Sequence, residues 1–92
     1  MNHTVVLYTR EGCCLCERAR QLLRRLQGEF IMEIEEVEIT GDPELYQQYR
    51  YIIPVVVIDG RHRFEPNKLA ELYLRRALEL SERTERRYPW QD

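Results

Sequence analysis

Two uninterrupted apolar stretches, Thr4 to Tyr8 and Ile52 to Ile58, constrain this 92-residue chain more than any other feature. Runs of β-branched and apolar residues suit strands buried on both faces. The first run leads through Thr9-Arg10-Glu11 into Gly12-Cys13-Cys14-Leu15-Cys16, which holds all three cysteines of the chain. From Cys14 to Gln27 apolar residues recur at Leu15, Ala19, Leu22, Leu23 and Leu26, with Arg18, Arg20, Arg24 and Arg25 on the other side. That spacing predicts an amphipathic helix, and Gly28 is a suitable stop. The second run carries Pro54, which has no N–H for a ladder and so belongs at the first residue of its strand or on an edge.

The other elements follow from periodicity and turn chemistry. Phe30, Met32 and Ile34 alternate, the phase slips at Glu35-Glu36, and alternation resumes with Val37 and Ile39. Either a bulge sits at the slip or the strand starts near Ile34, and the later start is favoured. Asp42 is an N-cap with Pro43 at the first helical position, opening a short helix with Leu45, Tyr46 and Tyr49 that ends near Arg50. Asp59-Gly60 is a hairpin turn that returns Arg61 to Phe64 antiparallel. Pro66-Asn67 opens a long helix with Leu69, Leu72, Tyr73, Ala77 and Leu80 on one face. Glu82 to Arg87 reads as a solvated helix end or tail, and Tyr88-Pro89-Trp90 as a segment able to dock on a partner.

The order is strand, helix, strand, helix, strand, strand, helix. Two βα units predict parallel pairing and the hairpin adds an antiparallel edge, giving an α/β sandwich with a four-stranded mixed sheet. The expected organisation is one domain over residues 1–80, with 81–92 a charged helical extension or tail. Tyr8, Tyr46, Tyr49, Tyr51 and Tyr73 are read as core residues.

With 14 Lys+Arg against 16 Asp+Glu, the chain has no basic field for nucleic acid. The segment Met1 to Tyr8 lacks a basic n-region and a long apolar run, and no stretch approaches the ~18 apolar residues of a membrane span. The expected location is cytoplasmic, where a C-x-x-C pair is more often catalytic or metal-binding than a structural disulfide.

A thiol at a helix N-terminus meets unpaired backbone N–H groups and the positive end of the macrodipole, both of which favour thiolate. Cys16 lies one turn after Cys13 on the same face, close enough to close a small disulfide ring, whereas a bond between Cys13 and Cys14 would be strained. The pair is a candidate redox centre. Cys14 is either a tolerated substitution or an auxiliary thiol for mixed disulfides. Structural zinc needs four ligands, which three clustered cysteines and the distant His3 and His62 do not supply, so no metal site is expected within one chain. A carrier that binds an iron–sulfur cluster or another metal through Cys13 across a dimer is the alternative. Arg10 would stabilise a thiolate while Glu11 and Glu17 oppose it; neither histidine is given a catalytic role.

The C-x-x-C at the start of the first helix, the element order and the proline before the third strand together resemble the thioredoxin fold. The stretch Thr9-Arg10-Glu11-Gly12-Cys13-Cys14-Leu15-Cys16-Glu17 and the Ile53-Pro54-Val55 segment are similar to those of small bacterial glutaredoxin-like proteins, over roughly residues 4 to 80. The resemblance implies a thioredoxin-like, glutaredoxin-type fold and a thiol–disulfide oxidoreductase acting on protein or glutathione mixed disulfides. It makes Cys13 the exposed nucleophile and Cys16 the buried resolving thiol. Tyr8, Arg10, Ile53 and Pro54 become substrate-binding residues, with Pro54 in cis facing the cysteines and the Ile53 backbone free to pair with a peptide. It implies a monomer with no built-in cofactor, and glutathione or a thioredoxin-type reductase system as electron donor. Two features depart from glutaredoxins: Cys14-Leu15 replaces Pro-Tyr between the cysteines, and Arg63-Phe64-Glu65-Pro66-Asn67 lacks the glycine pair that helps hold glutathione.

Overall fold

The N-terminal apolar run forms β1 (His3–Thr9), the strand around which the molecule is built. The remaining elements are α1 (Cys14–Leu26), β2 (Met32–Glu38), α2 (Pro43–Tyr49), β3 (Val55–Ile58), β4 (His62–Phe64) and α3 (Glu71–Arg87), with 3₁₀ turns at Ile39–Gly41 and Pro66–Lys68. These come from a computed structural model that describes residues 2–87; the Tyr88-Pro89-Trp90 segment lies outside the described residues. No helix among the described residues is long and apolar enough to cross a membrane.

The sheet order is β2-β1-β3-β4, so the expected four-stranded mixed sheet is present. Only β1 and β2 run parallel; β3 enters antiparallel to β1, and β4 antiparallel to β3. The second βα unit therefore departs from the parallel expectation, and the reason is length. The seven residues of α2 span about 10 Å at 1.5 Å per residue. The seven residues of β2 advance about 23 Å at 3.3 Å per residue. A helix that short cannot carry the chain back to the start of the sheet. The chain turns instead at the end where β1 and β2 finish, and β3 runs back from there, pairing Val55 with Tyr8.

Helices cover both faces, unequally. On one face α1 and α3 bury Val5, Leu7, Met32, Val56 and Ile58 with Ala19, Leu23, Leu26, Leu74, Ala77 and Leu78. On the other, Ile39 and Tyr49 pack with Val55, Tyr8 and Val57. That second cover is short: Thr4 is exposed and Val6 half-buried, so β1 is not enclosed on both faces along its whole length.

The phase slip in β2 is explained by the same asymmetry. Pairing from His3↔Met32 to Thr9↔Glu38 is continuous, with no bulge, and the strand starts at Met32 rather than near Ile34. Met32 and Ile34 point to the α1 face, and Glu36 on that face reaches Arg20 with two contacts of 2.8 Å. Ile39 and its neighbours serve the α2 face instead. The apolar face changes because the cover changes.

Two further expectations shift. Pro66 opens a 3₁₀ turn, not α3, so counting a helical face from Leu69 gives the wrong phase. Among the described side chains of α3, Leu74, Ala77, Leu78 and Ser81 are buried, while Leu72, Tyr73 and Leu80 face outward. In β3 the ladder begins at Val55, after Pro54, and Ile52 and Ile53 pack as loop residues. Among the tyrosines Tyr49 is buried, but Tyr51 is 83% exposed and Tyr73 also lies open.

At the start of β1, His3 is fully buried between two carboxylates: Nδ1 lies 2.8 Å from Asp59 and Nε2 2.9 Å from Glu82. The second oxygen of Asp59 accepts the Thr4 N–H at 2.8 Å. Asp59 itself adopts φ 55° in the β3–β4 turn, so this tie fastens β1, the hairpin and α3 together. Burial alone would raise the Asp59 carboxyl, but hydrogen bonds from His3, the Thr4 N–H and Ser81, with the His3 charge, outweigh it and hold the group below its usual value. Its contribution to stability is therefore complete above about pH 4 and lost as pH falls through the lowered value. His3→Ala should cost about 2–3 kcal/mol in urea unfolding and lower Tm by roughly 10 °C. Asp59→Asn should flatten the loss of stability on the acid side.

Candidate active site

Gly12 adopts φ +80°, the left-handed conformation, and this lets the loop turn sharply into α1. A Cβ there would meet nothing within 4 Å, so conformation rather than space favours glycine. The turn closes through the Cys13 N–H, which donates to the Arg10 carbonyl at 3.3 Å. Cys13 is the N-cap of α1, with extended φ −94° and ψ 113°. Its Sγ takes the place a serine or aspartate oxygen usually fills, accepting the Cys16 N–H at 3.3 Å.

The three thiols are free and occupy graded environments: Cys14 exposed, Cys13 half-buried and Cys16 buried. Cys16 replaces Leu15 in the apolar stripe of α1, which is Cys16, Ala19, Leu23 and Leu26. Leu15, expected in the core, is 51% exposed. Burial pushes the Cys16 thiol up and its hydrogen bond with Cys13 adds to this; the Thr9 hydroxyl and the Arg10 backbone pull the other way.

Two concavities flank the dithiol. One, about 440 Å³, is lined by Arg10, Gly12, Cys13, Cys14, Glu17 and Arg20. Glu17 does not stand as a free negative charge beside the thiols, because Arg20 bridges it to Glu36. The other, about 450 Å³, runs between α1 and the start of α3, with Leu15, Leu22, Pro54, Pro66 and Leu69 in its wall. The Ile53–Pro54 peptide is cis, and Pro54 is fully buried. Arg10 thus lines the concavity that holds Cys13 and Cys14, and Pro54 the one that holds Leu15. Tyr8 lies on the α2 face of the sheet, stacked on Tyr49 with ring centroids 4.5 Å apart. Burial, then Tyr49, raises its phenol.

Sequence reasoning passed over Thr9 and the outward turn of Leu15. The signal for the second was present: placing Cys16 at the first buried position of the i, i+3, i+7 series puts Leu15 outside it. Among the described residues no cluster of three or more His, Cys, Asp or Glu side chains is placed to hold a metal ion.

The family model for the glutaredoxin-like domain (DUF836) matches residues 4–82, which contain the dithiol loop and, apart from His3, the four strands of the sheet. The chain belongs to this family. An uncharacterized protein of Mycobacterium tuberculosis is 34% identical over 62 residues, 62% of this chain and 64% of that relative; the match spans less than two thirds of its length. A Nitrosomonas europaea protein solved by NMR is 35% identical, with a TM-score of 0.59 over 68% of this chain and 73% of that one. An X. campestris protein solved by X-ray has a TM-score of 0.62 over 78% of this chain and 96% of its own length, at 22% identity, and supports the fold. Membership of a glutaredoxin-like family points to a thiol redox-type function.

The graded burial makes a direct prediction. In a Cys14→Ser background, iodoacetamide should modify Cys13 before Cys16 in the reduced protein, read by peptide mass spectrometry across pH. Faster labelling of Cys16 would reverse the assignment of the two thiols.

Proposed function

We propose that this glutaredoxin-like chain is a thiol–disulfide oxidoreductase, a cytoplasmic monomer that reduces protein or glutathione mixed disulfides through Cys13 and Cys16. The observation that carries this reading is the inequality of the pair: Cys13 caps a helix at the surface, and Cys16 lies one turn deeper at 1% exposure. An open thiol can attack an external disulfide, while a buried one within reach can attack only its neighbour.

In the first step the Cys13 thiolate attacks one sulfur of the substrate disulfide. The S–S bond breaks, one substrate sulfur leaves as a thiolate that takes a proton from solvent, and Cys13 holds the other half. Cys16 then loses its proton to solvent and attacks Cys13 Sγ. The Cys13–substrate bond breaks, the second substrate thiol is released, and a Cys13–Cys16 disulfide remains. The substrate gains two electrons and two protons, which the dithiol gives up. Glutathione or a thioredoxin-type reductase system supplies the electrons that restore it. Pro54, with the Leu15 groove beside it, forms the wall along which a substrate lies, and the backbone of Ile53, whose side chain packs toward Ile39 and Tyr49, pairs with it; Arg10 lines the other concavity.

Reduction of insulin and of a glutathione mixed disulfide tests the assignment. Cys13→Ser should abolish both, and Cys14→Ser should leave each within a few fold of the parent. Cys16→Ser should accumulate a covalent mixed disulfide with the substrate. Turnover surviving in Cys13→Ser would overturn the reading. Visible absorbance with bound iron and sulfide in the protein as isolated would favour the cluster carrier instead.

A further inference from the structure

Thr9 is the last residue of β1, and its side chain belongs to the face carrying Val5 and Leu7, the face α1 covers. Its two apolar companions fill the core. At Thr9 a valine would have the same shape without a hydroxyl to satisfy. Thr9 is nonetheless only 5% exposed, and its Oγ1 is buried with no hydrogen-bond partner among the described residues. A buried hydroxyl without a partner is rare and calls for a reason. The sulfur of Cys16 provides one. Cys16 is the first buried residue of the α1 stripe that covers this face, and it is tied to the end of β1 through Cys13, whose Sγ accepts the Cys16 N–H at 3.3 Å and whose N–H donates to the Arg10 carbonyl at 3.3 Å. The Thr9 hydroxyl and the Arg10 backbone both act on its thiol in the sense that favours thiolate. No hydrogen bond of good geometry joins Thr9 to the uncharged thiol.

We propose that Thr9 is a positioning residue for the second thiol: its hydroxyl stands idle beside neutral Cys16 and donates a hydrogen bond to the Cys16 thiolate when that forms. It makes a receptor for negative charge at the one buried thiol among the described residues, where the Arg10 backbone acts in the same sense. The charge needs such a receptor because burial opposes it and no cation reaches it. Cys13 is the titratable neighbour acting on Cys16. Glu17 and Arg20 pair with each other on the exposed side of α1, and Arg10 and Glu11 project to solvent. Thr9 keeps its own proton throughout; the proton lost by Cys16 goes to solvent and is matched by the one the released substrate thiolate takes up. This role rests on the resolving function proposed for Cys16, but the contact it predicts does not.

The test uses Thr9→Val and Thr9→Ser in the Cys14→Ser chain, with each cysteine titrated by its ¹³Cβ shift. Losing one hydrogen bond to a charged group should raise the Cys16 midpoint by about one pH unit in Thr9→Val, and Thr9→Ser should restore it. The Cys13 midpoint should stay within a few tenths of the parent in both. Stopped-flow release from a preformed Cys13 mixed disulfide gives a second readout. One unit removes tenfold in thiolate and returns about threefold in nucleophilicity, so release in Thr9→Val should slow about threefold at neutral pH. Above both midpoints the sign should invert, because only the nucleophilicity term is left there. Damage to the fold would slow release at every pH. If Thr9→Val does not fold, Thr9→Ala replaces it. An unmoved Cys16 midpoint in a folded variant overturns the Thr9 role and leaves the oxidoreductase reading standing. A shifted midpoint in a chain with no reductase activity supports the contact and overturns that reading.

Discussion

The length of α2 decides where the chemistry can be. Because seven helical residues reach less than half as far as the strand before them, β3 must begin at the end of the sheet where β1 stops. Pro54, Thr9 and the Gly12–Cys16 loop are brought to one edge by that fact alone. A full-length crossover would have made β3 parallel to β1 and placed Pro54 at the far end of the sheet, on the order of 20 Å from the thiols. The single antiparallel entry therefore accounts for the wall beside Leu15 as well as for the mixed sheet.

β1 is the central member in a second sense, since its two ends are held by different means. At its start His3 is locked between Asp59 and Glu82 in the interior, and the hairpin and α3 are fastened through it. At its finish the chain leaves the sheet through an exposed loop with a left-handed glycine. The surface pairs Arg20–Glu36, Arg75–Glu29 and Arg75–Glu71 lie between these ends and orient the helices, but exposed pairs contribute about 0–1 kcal/mol each. Stability is concentrated in the α1/α3 core, whose α1 stripe begins at Cys16, and in the His3 tie at the other end of β1. Changes at the less buried Cys13 and Cys14 can thus alter reactivity without loosening the domain.

What was legible in the sequence were features set by local chemistry. Asp42-Pro43 caps and starts α2, Asp59-Gly60 turns the hairpin, and the cysteines begin α1, because each depends on a few adjacent residues. What escaped was set by which element covers which face. Glu36 looked like a break in β2 because its partner Arg20 is sixteen positions away on α1. The phase of α3 was misjudged because Pro66 starts a 3₁₀ turn whose exit resets the helical count. His3 gave no local sign of its role, since Asp59 and Glu82 meet it only after the sheet and α3 are assembled. At the site, Cys13 and Cys16 could be read from spacing. The unpartnered hydroxyl of Thr9 could not, because only packing reveals a missing partner.

The two thiols are made unequal by backbone and burial rather than by nearby charges. Cys13 is served by the Cys16 N–H in the role of a helix cap, and Cys16 is held in the core with a hydroxyl and an N–H at hand. The charged residues around the loop are exposed or already paired, as Glu17 is with Arg20. A bias that depended on Arg10 acting through solvent would weaken within a Debye length of about 8 Å at physiological salt. Donors held in the interior by α1 and by the end of β1 are not screened in that way. The inequality between the two thiols is thus a property of the fold, set where β1 ends and α1 begins.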